Sequence, residues 1–138
     1  MSKVLIAEDN PVELSLYATA IQTEGHTAIR SSTCELAWEI LCDNPDIELL
    51  ITDMVMPEIS GRDLIKRIRG DARFSSLPVI VVSGIVSVKA IRDLLALGEM
   101  RFLSKPVDIQ ELKKYVRALS ARNTSFEWQK VLLPASNI

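Results

Sequence analysis

The chain is 138 residues long, 48% hydrophobic and 25% charged, with a formal net charge of −2. Such a chain has the size and composition of one globular domain with its own core, which excludes a disulfide-stapled mini-protein or a disordered segment. The charge balance offers no positive field for direct nucleic-acid binding, and no run reaches the roughly 18 apolar residues of a membrane span.

The first apolar run, Val4-Leu5-Ile6-Ala7, ends at Glu8-Asp9 and reads as a buried strand. Asn10-Pro11 then opens a helix, asparagine as cap and proline in the first turn, with Leu16, Tyr17, Ala20 and Ile21 as its core face and Gly25 as its stop. His26-Thr27-Ala28-Ile29 is a short second strand, on which His26 is expected as a solvated starting residue. Thr33 caps a helix carrying Leu36, Ala37, Ile40 and Leu41, which stops near Asn44-Pro45. Cys34 and Cys42 fall in this helix as thiols rather than a bridge or metal pair. The third strand, Leu49-Leu50-Ile51-Thr52, ends at Asp53, and the loop from Met54 to Gly61 leads into a helix with Leu64, Ile65 and Ile68, closed by Gly70. Pro78 precedes a fourth strand, Val79-Ile80-Val81-Val82, ending at Ser83-Gly84. Val88, Ile91, Leu94 and Leu95 mark the next helix, which Gly98 closes. Met100 to Ser104 is the fifth strand, followed by Lys105-Pro106. A last helix opens with Asp108 and Glu111 and buries Ile109, Leu112, Val116 and Leu119.

Alternating strands and helices make an α/β domain, a doubly wound five-stranded parallel sheet with helices on both faces. The flavodoxin-like order 2-1-3-4-5 is expected, because it brings Glu8-Asp9 beside Asp53 at the switch point. Ligands of such sheets bind outside the carboxyl ends of the strands, where all the isolated polar spots lie. Three carboxylates crowded there repel one another and call for a hard divalent cation, best Mg²⁺. The hydroxyl of Ser83 and the ammonium of Lys105 suit an anion such as phosphate. A cis Lys105-Pro106 bond would aim that ammonium back over the rim.

Taken together, Glu8-Asp9, Asp53-Met54-Val55-Met56-Pro57 with Gly61, Ser83-Gly84 and Phe102-Leu103-Ser104-Lys105-Pro106 resemble the receiver domain of two-component response regulators, over about residues 3–121. The resemblance implies that Asp53 accepts a phosphoryl group from a histidine kinase or histidine phosphotransfer protein. It implies that Asp9 binds Mg²⁺ directly, Glu8 largely through water, and Val55 through its carbonyl. Ser83 and Lys105 would then pair with the phosphoryl oxygens, and Phe102 would occupy an aromatic switch position. The chemistry fits: phosphoryl transfer needs in-line positioning and charge neutralisation, with a carboxylate as nucleophile.

Glu8 replaces the aspartate that many members carry, Gly98-Glu99 stands where Gly-Ala is frequent, and Phe102 lacks the hydroxyl of a tyrosine. Val55 and Ile85 are both apolar, so neither orients an attacking water, and a long-lived acyl phosphate is expected. A haloacid-dehalogenase-type hydrolase would need a second carboxylate where Val55 stands, and a flavodoxin would need a Ser/Thr-rich loop in place of Glu8-Asp9-Asn10-Pro11. A receiver-like module that signals without phosphorylation is disfavoured because every residue the chemistry needs is present. The expected organisation is a receiver domain over 1–122 and a tail over 123–138, in which Phe126, Trp128, Val131, Leu132 and Leu133 would order only against an apolar surface, its own domain or a second copy in a homodimer. Met1-Ser2-Lys3 leads straight into the first strand as an expected natural start, and the expected location is the cytoplasm.

Overall fold

The apolar runs do form strands at the centre of a sheet. A computed structural model describes residues 2–55, 60–84, 88–98 and 100–120, whereas residues 1, 56–59, 85–87, 99 and 121–138, the expected tail among them, lie outside the described residues. The described elements are β1 (Lys3–Ala7), α1 (Pro11–Thr23), β2 (Thr27–Ser31), α2 (Cys34–Asp43), β3 (Ile47–Asp53), α3 (Gly61–Arg69), β4 (Val79–Ser83), α4 (Val88–Leu95), β5 (Met100–Ser104) and α5 (Ile109–Ser120). The strands pair in parallel in the order β2-β1-β3-β4-β5, as the alternation of elements leads one to expect. Among the described residues no helix is long and apolar enough to cross a membrane.

Each central strand is apolar on both faces because both are covered. Leu5 and Ala7 of β1, Leu50 of β3 and Val79 and Val81 of β4 pack with Cys34, Ala37, Leu41, Leu64, Ile65 and Ile68 of α2 and α3. Their alternates Val4, Ile6, Leu49, Ile51, Ile80 and Val82 pack with Tyr17, Ala18, Ile21, Leu112 and Val116 of α1 and α5. This period-two division is what a parallel sheet imposes. Removing such fully enclosed side chains from water contributes about 25 cal/mol per Å² of apolar surface.

Helix boundaries follow local chemistry. Asn10 Oδ1 accepts from the Val12 and Glu13 N–H groups, and Thr33 Oγ1 accepts from Leu36. Ser60 Oγ accepts from Asp63, and Asp108 Oδ1 accepts from Gln110 and Glu111. Gly25 follows α1 with a φ of 85°, a left-handed conformation that L side chains rarely adopt.

Three helix faces differ from expectation. Leu16 is 47% exposed and Leu36 is 41% exposed, so neither belongs to the core. α1 instead buries Tyr17, Ala18, Ala20 and Ile21, and α2 buries Cys34, Ala37 and Leu41. On α4, Val88 and Leu95 face solvent while Leu94 is enclosed. β2 begins one residue later than expected and runs on to Ser31. His26 is half-buried rather than solvated, its Nδ1 accepting from the Ser2 N–H at 3.2 Å.

Candidate functional site

The site is assembled by strand register. Ala7 pairs with Thr52 and Asp53 with Val82, which sets Glu8, Asp53 and Ser83 side by side at the carboxyl rim. Backbone hydrogen bonds fasten this edge: Glu8 N–H to Ser31 O, Met54 N–H to Val82 O and Lys105 N–H to Ser83 O, at 3.1, 3.0 and 2.9 Å. The Lys105-Pro106 peptide bond is cis.

Lys105 Nζ lies 2.9 Å from Asp53 Oδ2, 3.2 Å from Glu8 Oε1 and 3.3 Å from Glu13 Oε2. Asp53 is 7% exposed and Glu8 only 1%, so two of these partners are nearly cut off from water. Asp53 Oδ1 also accepts from the Val55 N–H at 3.2 Å, and Glu8 Oε2 from the Asn10 N–H at 3.1 Å. Glu8, Asp9 and Asp53 each present a carboxylate oxygen within 4.8 Å of the others. That trio, exposed to solvent on the Asp9 side, is the hard-oxygen donor set that a divalent cation of the Mg²⁺ type takes.

Burial pushes the Glu8 carboxyl up to about 7 from its ordinary 4.5; the Asn10 N–H opposes the shift, Asp53 adds to it, and Lys105 opposes it again. For Lys105, burial disfavours the charge, but Asp53 and Glu8 outweigh it and hold the proton above the usual lysine range. A carboxyl raised in the folded state stabilises the metal-free fold below its unfolded pKa, and that contribution is lost as pH rises through the folded value. Metal-free protein is therefore expected to lose stability, relative to Glu8→Gln, as pH rises from about 4.5 to about 7. Paired thermal melts across that window test this; a constant difference between the two proteins contradicts it.

The two other expected residues lie on β4 and β5. Ser83 closes β4 and is buried at 2% exposure. Phe102 lies mid-β5 opposite Val81, half-buried against the core face shared by α2 and α3. Glu13 was not anticipated, although Asn10-x-x-Glu13 has the spacing of a capping box and marks a first-turn acid beside Glu8-Asp9. Tyr17, expected on the core face of α1 and buried there, adds a contact at its polar end: its hydroxyl donates to Glu13 Oε1 at 3.4 Å.

The family model of the response regulator receiver domain matches residues 4–117. Chemotaxis protein CheY1 of Helicobacter pylori is 29% identical over 122 residues, covering 88% of this chain and 98% of its own. Two-component response regulator ORR3 of Oryza sativa is 31% identical over 104 residues, 75% of this chain and 79% of its own. Among solved structures, a response regulator receiver protein from Pseudomonas putida is similar with a TM-score of 0.79 and 36% identity, over 84% of this chain and 95% of that one. A receiver domain protein from Clostridium thermocellum reaches 0.83 at 24% identity, over 91% and 99%, a likeness of fold.

Proposed function

The chain belongs to the response regulator receiver domain family, and from that premise we propose that Asp53 is its phosphoacceptor and Lys105 and Ser83 the groups that receive the phosphoryl oxygens. The family's role is to accept a phosphoryl group on an aspartate in two-component signalling. One observation carries the assignment: the Asp53 carboxylate is almost fully buried at the end of β3, with Lys105 Nζ 2.9 Å from one oxygen and Glu8 and Asp9 beside it.

The donor is the phosphohistidine of a histidine kinase or histidine phosphotransfer protein. A carboxylate oxygen of Asp53 attacks phosphorus, the new P–O bond forms as the P–N bond breaks, and the imidazole leaves with the electron pair. Lys105 orients the nucleophile before transfer and neutralises the phosphoryl oxygens afterwards. The hydroxyl of Ser83 donates to those oxygens from the end of the neighbouring strand. Mg²⁺, held by Glu8, Asp9, Asp53 and the Val55 carbonyl, would supply the positive charge that offsets the crowded carboxylates and the arriving phosphoryl group. By this reading the domain catalyses its own phosphorylation and dephosphorylation, and it works in the cytoplasm, where its free thiols Cys34 and Cys42 stay reduced.

Incubation with acetyl phosphate and Mg²⁺ is expected to add one phosphoryl group, mapped to Asp53 by mass spectrometry. Label on another residue, or none, overturns the assignment.

The acyl phosphate is expected to be long-lived. Val55 is 68% exposed beside Asp53 and offers an in-line water no side-chain hydrogen bond. Val55→Asn supplies one and should shorten the lifetime several-fold; a lifetime equal to the parent's refutes the water-positioning argument. Readout passes through Ser83 and Phe102 to the surface of α4 and α5, which is where an output partner or a second copy would dock. Deuterium exchange that changes on phosphorylation only elsewhere would count against that face.

A further inference from the structure

We propose that Glu13 restrains Lys105, so that it slows capture of a phosphoryl group at Asp53; this rests on Asp53 being the acceptor. An ammonium has three N–H donors. Lys105 has three carboxylate partners for them, Asp53, Glu8 and Glu13, at 2.9, 3.2 and 3.3 Å. Asp53 and Glu8 also belong, with Asp9, to the trio whose oxygens converge within 4.8 Å. Once those two turn toward a cation, Glu13 is the carboxylate that remains with Lys105.

Glu13 is well placed to stay there. Its backbone N–H is tied to the Asn10 cap at 3.0 Å, and its Oε1 accepts from the hydroxyl of Tyr17, a side chain only 2% exposed. A phosphoryl oxygen that is to pair with Lys105 must displace Glu13 or share the ammonium with it. The same carboxylate repels an incoming phosphodianion at short range, in a place where two neighbouring acids are already buried. Competition and repulsion act in the same direction. With acetyl phosphate, the bond from Asp53 to phosphorus forms as the bond to the acetate oxygen breaks, and acetate leaves with the electron pair. Glu13 touches none of the reacting atoms in this step and acts through Lys105, as a positioning residue.

Glutamine keeps the size of the side chain and removes its charge. Glu13→Gln is expected to take label from acetyl phosphate about three- to tenfold faster than the parent at saturating Mg²⁺. The half-saturating Mg²⁺ concentration should move less than about twofold, since Glu13 lies on the lysine side of the site. A labelling rate equal to or below the parent's overturns the proposal. A second readout needs neither cation nor phosphodonor. Acylation of Lys105 by a water-soluble amine reagent, followed by peptide mass spectrometry, should be at least about twofold faster in Glu13→Gln. Unchanged Lys105 reactivity overturns the restraint. Should the parent take no label at Asp53, the phosphoacceptor assignment fails, and the acylation result still decides whether Glu13 holds Lys105.

Discussion

Asp53→Asn is expected to lose all phosphoryl labelling while keeping its fold. Asparagine matches aspartate in shape, so the 7%-exposed position is refilled without a cavity. Its Oδ1 still accepts the Val55 N–H that Asp53 receives at 3.2 Å. Lys105 loses one charged partner at 2.9 Å but keeps Glu8 and Glu13. Removing one of several crowded acids also relieves repulsion, so the net change in stability should stay within about 1 kcal/mol. Chemistry is affected far more, because an amide oxygen is a poor nucleophile toward phosphorus. Mg²⁺ affinity should fall by about tenfold or more, since even residues that merely orient a ligand commonly matter that much. Intact-mass labelling, a thermal melt and Mg²⁺ titration on one preparation separate these effects. Undiminished label on a folded Asp53→Asn protein would show that another residue accepts the phosphoryl group.

The rim of the sheet was legible because strands buried on both faces leave few polar residues, and those few stand at the strand ends. Glu8, Asp53, Ser83 and Lys105 all announce themselves in this way. Glu13 did not, because it sits inside a helix where a first-turn acid has an ordinary reason to be. Only the fold across β1 and β5 brings it to Lys105. Helix faces were harder to read for a different reason. α1 is apolar around much of its circumference, and the stripe that packs is Leu14, Tyr17, Ala18 and Ile21, which leaves Leu16 outside. On α2 the stripe is Cys34, Ala37, Trp38 and Leu41, whose small members lie close to the sheet. Judged by size, Leu36 looks more like core than Cys34 does. Close approach to the sheet rewards the smaller residue, and the structure enclosed Cys34 to 1% exposure while leaving Leu36 outside.

Gly61 belongs to the motif that begins at Asp53, and the structure gives the packing reason for it; Gly61→Ala is expected to be the most damaging of the glycine substitutions. A Cβ there would lie 1.9 Å from the carbonyl oxygen of Asp53, 2.9 Å from its carbonyl carbon and 3.1 Å from the Cα of Met54. All three are backbone atoms, so no flexible side chain can swing away. The contact is close because the Gly61 N–H donates to Met54 O at 3.1 Å, folding the start of α3 back over the end of β3. Relief requires either that α3 and its Ser60 cap move outward or that the last residue of β3 shifts. The first loses packing of Leu64, Ile65 and Ile68, and the second displaces the acceptor itself. Overpacking against rigid surroundings costs about 3 kcal/mol, which for a domain of this size lowers the melting temperature by roughly 10 °C. Gly25→Ala is the informative comparison. Its φ of +85° makes an L side chain strained, but a Cβ there meets nothing within 4 Å, so about 1 to 2 kcal/mol is expected. By φ alone Gly25 would be the more sensitive site; by packing the order reverses. Gly61→Ala should also weaken Mg²⁺ binding and labelling together, whereas Gly25→Ala should leave both near the parent's values. If Gly25→Ala proves the more destabilised of the two, the backbone contact between Gly61 and Asp53 does not constrain the acceptor.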